Sequence, residues 1–145
     1  MFKKKKLFII IIIFFNSFCL GMTEENFFNE AKKKYDKKKL NEAKFLLQRN
    51  IVFNPKDAIS YLYLAKIYNT EENQKEEEKN LDTTLLLEPN NEEAMYMLMK
   101  IELKKSNYLS VKKLLESFSI ICKDLCEKNK TINKMLKNIE PKNES

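Results

Sequence analysis

The chain contains no histidine. That absence removes the commonest general base, the usual partner of a serine or cysteine nucleophile, and the commonest zinc ligand together. Glycine is nearly missing as well. The single one, Gly21, leaves nothing from which a phosphate-cradling loop could be built. Carboxylates are plentiful, but they fall in runs such as Glu71 to Lys79, where acids and lysines mix as on a solvated helix face with i,i+4 pairs. The chain therefore reads as no enzyme, with no cofactor and no metal. A cysteine hydrolase or redox activity would rest on Cys122 or Cys126 with no histidine to activate either.

Long apolar runs are also lacking. Leu7 to Leu20 covers 14 residues, interrupted by Asn16 and Ser17, against the ~20 that a membrane-spanning helix needs. The run follows Lys3 to Lys6 and ends with Cys19 and Gly21 at the small positions before Met22, the layout of a cleaved secretory signal over residues 1–21. The expected location is the periplasm or cell envelope. The alternatives are an uncleaved anchor over residues 7–20 or lipidation at Cys19, where bulky Phe18 replaces the small residue that a lipoprotein signal carries.

Strong charge of one sign is missing from the rest. Net charge is +6, but Lys3 to Lys6 account for four of the cations, leaving 23 basic against 21 acidic residues. A nearly balanced chain lacks the basic face of a nucleic-acid binder, so no nucleic acid is expected as a partner.

What the chain does have is a period. Pro55 and Pro89 lie 34 residues apart, and their surroundings share one rhythm. With Glu24, Ala58 and Glu92 as first positions, the fourth positions are Phe27, Tyr61 and Met95. The eighth are Ala31, Ala65 and Met99, and the twentieth Ala43, Glu77 and Val111. The twenty-fourth are Leu47, Leu81 and Leu115. Small residues facing large ones suit two antiparallel helices in close contact. Thr23, Asp57 and Asn91 stand where each unit's first helix needs a cap, and Glu24-Glu25 and Glu92-Glu93 put acids in first turns. No period-two run suggests a sheet.

This pattern resembles the tetratricopeptide repeat family over about Glu24 to Lys123. The second unit matches best, through Tyr61, Leu64, Ala65, Tyr68, Leu81 and Pro89. Departures are Glu30 and Lys34 in the first unit, Glu77 in the second, and Met99 and Lys123 in the third. The resemblance implies an all-α solenoid of three helix–turn–helix repeats within residues 22–123 (about 24–57, 58–91 and 92–123). A C-terminal capping helix over 124–139 and a disordered tail over 140–145 would follow. The cap is read from a stripe of Leu125, Ile132, Met135, Leu136 and Ile139.

The resemblance also implies where a partner binds. In this family the fifth and ninth positions of each first helix face the concave groove. Here they are Phe28, Leu62 and Tyr96, beside Lys32, Lys66 and Lys100, with Tyr63 and Met97 at the sixth position extending the apolar row. Such a groove suits a peptide or amphipathic helix with acidic groups. The lysines have a plainer reading as solubilising surface. The expected function is a non-enzymatic adaptor for a protein or peptide partner in the bacterial envelope; the alternative is a membrane-tethered assembly factor for outer-membrane or secretion machinery. Membrane contact is expected only through the N-terminal segment.

Cys122 and Cys126 leave two readings open. They form a disulfide if the helix breaks near Lys123-Asp124, because i and i+4 positions of one continuous helix rarely reach bridging geometry. Otherwise they are two small buried residues on one stripe.

Overall fold

The computed structural model describes residues 27–139. The expected signal or anchor, the tail, and Thr23, Glu24 and Glu25 lie outside the described residues. Seven helices follow in order: α1 (Phe27–Asp36), α2 (Leu40–Phe53), α3 (Ala58–Thr70), α4 (Gln74–Leu87), α5 (Glu92–Lys104), α6 (Tyr108–Ile121) and α7 (Cys126–Ile139). There is no strand among the described residues, so the fold is all-α. Helices α1/α2, α3/α4 and α5/α6 pack as successive pairs, and α7 packs on both α5 and α6.

The repeating positions explain the pairing. Ala31, Ala65 and Met99 are fully buried, as are Ala43, Val111, Leu47 and Leu81. Each large side chain at these depths contributes about 1.5–3 kcal/mol by leaving water. Glu77 is buried among them, 3% exposed, because the Asn69 side-chain amide donates to its Oε1 at 2.9 Å. A carboxylate is thereby accommodated where a small residue was the norm.

Within each pair the turn needs a left-handed residue, and the chain has no glycine to supply it. Lys38 (φ 60°), Glu72 (φ 57°) and Ser106 (φ 58°) take that conformation, each 34 residues from the next. The amides just beyond them close back onto the preceding helix: Lys39 N–H to Lys34 O, Asn73 N–H to Tyr68 O, and Asn107 N–H to Glu102 O, each at 2.9 Å.

Capping differs in part from expectation. Asn91 accepts from the Ala94 N–H at 3.0 Å, as its position implied. Asp57 does not cap α3. Its Oδ2 instead accepts from Ser60 Oγ at 2.6 Å and from Asn50 Nδ2 at 2.7 Å, a network that ties α2 to α3. Asn73 and Asn107 cap α4 and α6. The Glu71 to Lys79 run also departs from the i,i+4 scheme. Glu71 pairs with Lys44 and Glu78 with Lys105, bridges between neighbouring repeats.

The apolar interior falls into three clusters along the stack, one per junction. On α7 only Ile132 and Leu136 are buried, while Met135 and Ile139 are 38% and 47% exposed, so the covering stripe is narrower than its sequence pattern implied. Among the described residues no helix is long and apolar enough to cross a membrane.

Candidate functional site

The first helix of each pair, α1, α3 and α5, carries the residues singled out from the sequence. At the first two repeats they form an aromatic cluster. The Phe28 and Tyr63 rings meet edge to face with centroids 5.5 Å apart, and Tyr35 meets Tyr63 likewise at 5.1 Å. All three rings are half-buried. Such pairs prefer this geometry because one ring's positive edge meets the other's negative face. Burial raises the Tyr35 hydroxyl above the usual phenol range, with the Glu93 and Asp36 carboxylates adding to it. Tyr63 is raised by the same burial, then by Asp36 and Glu93. Both phenols are therefore neutral hydrogen-bond donors at pH 7.

Lys66 is engaged within this cluster. Its Nζ lies 2.7 Å from Glu93 Oε2 and 4.7 Å from the Tyr63 ring centroid. Lys100 sits 5.0 Å over the Tyr96 ring, and Lys128 of α7 approaches the same ring at 6.0 Å. Lys32 is exposed. The expected lysine row thus divides into one open cation, one ion-paired, and one laid on an aromatic face.

Leu62 and Met97 are packed away for most of their surface, and of the two only Leu62 touches an open cleft. They are 2% and 6% exposed and pack with Ala65, Leu81, Ala94 and Ile101 at the junction of the second and third repeats. Ala65 and Ala94 bring the helices close, and Leu62 and Met97 fill the space that remains. Tyr96 is half-buried against the cluster under α7. Tyr35, Asp36 and Glu93 were not singled out from the sequence. Tyr35 lies one helical turn beyond Ala31 and Asp36 follows it on α1, but Glu93 reaches the cluster only through the stacking of α1, α3 and α5.

A cleft of about 600 Å³ is bordered by Ile59 and Leu62 on α3, Glu92 and Glu93 on α5, and Asp124 and Leu125 before α7. Glu92 is committed there. Its carboxylate accepts from the Lys123 N–H (2.6 Å), the Asp124 N–H (3.1 Å) and the Leu125 N–H (2.7 Å). These bonds, the one from Leu125 foremost, hold its pKa below the usual carboxylate value. The linker that offers them is closed by a Cys122–Cys126 disulfide. Helix α6 ends at Ile121 and α7 starts at Cys126, which is the break that a bridge at this spacing requires. No group of three or more His, Cys, Asp or Glu among the described residues could hold a metal ion.

No protein-family model matches the chain, and no curated protein matches it. Solved structures do. The first tetratricopeptide domain of Spaghetti (RPAP3), bound to an HSP90 peptide, is similar at TM-score 0.69 and 13% identity, covering 79% of this chain and 91% of that one. The Yersinia enterocolitica type III secretion chaperone SycD, in complex with a peptide of the translocator YopD, is similar at TM-score 0.66 and 14% identity over 79% and 90%. PcrH in complex with the chaperone binding region of PopD gives TM-score 0.67 and 14% identity over 82% and 94%. At these identities the likeness speaks for the fold, and the fold of this chain is that of a tetratricopeptide-repeat helical solenoid.

Proposed function

We propose that the α1, α3 and α5 face binds an amphipathic peptide segment of a protein partner, and that the chain is a non-enzymatic adaptor in the bacterial cell envelope. The observation that carries the reading is the Phe28–Tyr35–Tyr63 cluster: three half-buried rings already held in mutual contact. Rings fixed before binding lose little conformational freedom when a side chain docks on them. The contacts proposed for a partner are Phe28, Tyr35, Tyr63 and Tyr96 for its apolar side, with Lys32, Lys66 and Lys100 for its acidic groups. Leu62 and Met97 act beneath that face as packing. The three structural neighbours described above were each solved with a peptide or partner region bound, which supports the same use of the fold.

The envelope setting rests on the N-terminal sequence: basic Lys3 to Lys6, the apolar run, and small Cys19 and Gly21. The alternative keeps residues 7–20 as an anchor, or lipidates Cys19, and makes the chain a tethered assembly factor. The N-terminal mass of the chain recovered from cells separates these two.

The binding face is tested by capture from envelope extract with the full chain and a Phe28→Ala/Tyr63→Ala variant, both checked for helical content. A protein retained by the first and lost by the second supports the reading. Equal retention by both, or none by either, overturns it.

A further inference from the structure

We infer that the Cys122–Cys126 disulfide is a thiol-reducible latch that decides whether α7 stays folded back on the end of the solenoid. The first two junctions between repeats carry Pro55 and Pro89, and the equivalent position of the third is Lys123. Proline interrupts a helix because it lacks the N–H and crowds the preceding turn. The third junction has no such residue: Cys122, Lys123, Asp124, Leu125 and Cys126 include neither proline nor glycine. What stands there instead is the bridge.

A bridge at i,i+4 and an unbroken helix through the same residues exclude one another, because the cysteines of a regular helix rarely satisfy disulfide geometry. The oxidised linker is therefore held out of helix. That same interruption leaves the Lys123, Asp124 and Leu125 N–H groups free to grip the Glu92 carboxylate at the start of α5. Bridge and Glu92 clamp together set the angle at which α7 returns, laying Ile132 and Leu136 onto Met95, Met99, Val111 and Phe118.

Reduction removes the constraint. A thiolate attacks the sulfur of Cys126, the more exposed residue of the pair, forming a mixed disulfide and releasing Cys122 as thiolate, which takes up a proton. A second thiol then displaces Cys126, so that two thiols become one disulfide and both cysteines end as thiols. The linker is then free to continue α6 by i→i−4 bonds, which withdraw its N–H groups from Glu92 and carry α7 off the third repeat. The apolar surface around Phe118 is uncovered. The inference rests on helix geometry and does not depend on what the aromatic face binds.

The test is hydrogen exchange, read by mass spectrometry, on the full oxidised chain and on the chain reduced with dithiothreitol. Exchange in α7 is expected to quicken by about tenfold or more on reduction, with α1 to α4 unchanged as the internal reference. A Cys122→Ser/Cys126→Ser variant should match the reduced chain. A Cys122→Ser/Cys126→Pro variant should instead keep slow exchange in α7, since proline at the first position of α7 breaks a continuous helix without sulfur and spares the Lys123, Asp124 and Leu125 N–H groups. The inference is overturned by equal α7 exchange in the oxidised and reduced chains, by fast α7 exchange in the Cys122→Ser/Cys126→Pro variant, or by finding both cysteines as free thiols in the oxidised chain. Loss of protection throughout α1 to α4 in the serine variant would likewise sink it, by making the bridge a general staple.

Discussion

Lys66 and Glu93 join the second and third repeats through a 2.7 Å ion pair, with the lysine simultaneously over the Tyr63 ring. A cation that stands in line for an acidic partner already has an acid of its own. Replacing Glu93 with Gln should free Lys66 and change folding stability by no more than about 1 kcal/mol, because the pair is only partly buried. Binding of an acidic amphipathic peptide, followed by fluorescence anisotropy, should tighten a few-fold at low salt and lose that gain at high salt. Unchanged affinity would take Lys66 out of the binding face.

The two apolar residues of the expected groove should separate by function. Leu62→Ala removes a 2%-exposed side chain and should cost about 2–5 kcal/mol in denaturant unfolding. Phe28→Ala removes a half-buried ring from an aromatic pair and should cost less than that, while abolishing partner capture. A larger stability loss for Phe28→Ala would mark it as core.

The buried Asn50 amide donates to Asp57 Oδ2 at 2.7 Å and to Ser60 Oγ at 2.9 Å. Asn50→Leu leaves both acceptors with one fewer donor at the junction of α2 and α3. The expected loss is about 1–3 kcal/mol, seen as a lower denaturation midpoint with an unchanged m-value.

Glu92 predicts an acid limit for the capping helix. Its pKa is lower in the folded chain than in the unfolded one, chiefly through the Leu125 N–H. The unfolded state therefore binds more protons as pH falls. The clamp's contribution is fully present above the ordinary glutamate value of ~4.3 and is lost as pH drops through the folded value below it. Exchange in α7 should accelerate, relative to α1–α4, as pH falls below the ordinary glutamate value and through the lower folded one. Glu92→Gln should flatten that dependence.

Ser106 holds φ at 58° in the turn between α5 and α6. Ser106→Gly should stabilise the chain by roughly 0.5–1 kcal/mol, since the left-handed region costs a side chain about 1–2 kcal/mol and glycine's unfolded-state entropy offsets part of the relief. A lower thermal midpoint for this variant would show that the turn is not strained.

The sequence by itself determined the all-α class, the period and the places where helices pair. Those features follow from local spacing: Ala31, Ala65, Ala43 and Val111 recur where backbones must approach, and Pro55 and Pro89 stand where the chain must leave one pair for the next. The left-handed turns at Lys38, Glu72 and Ser106 were not legible, because a chain without glycine in its repeats gives no local sign of positive φ. Tertiary structure alone decided that Leu62 and Met97 turn inward, and that Asp57 answers Asn50 and Ser60 instead of its own helix. It alone placed Glu93 on Lys66 and Glu92 on the linker before α7. Each of these depends on how one repeat rotates onto the next, and that rotation is set by the summed packing of residues about one period or more apart, which no short stretch of sequence contains.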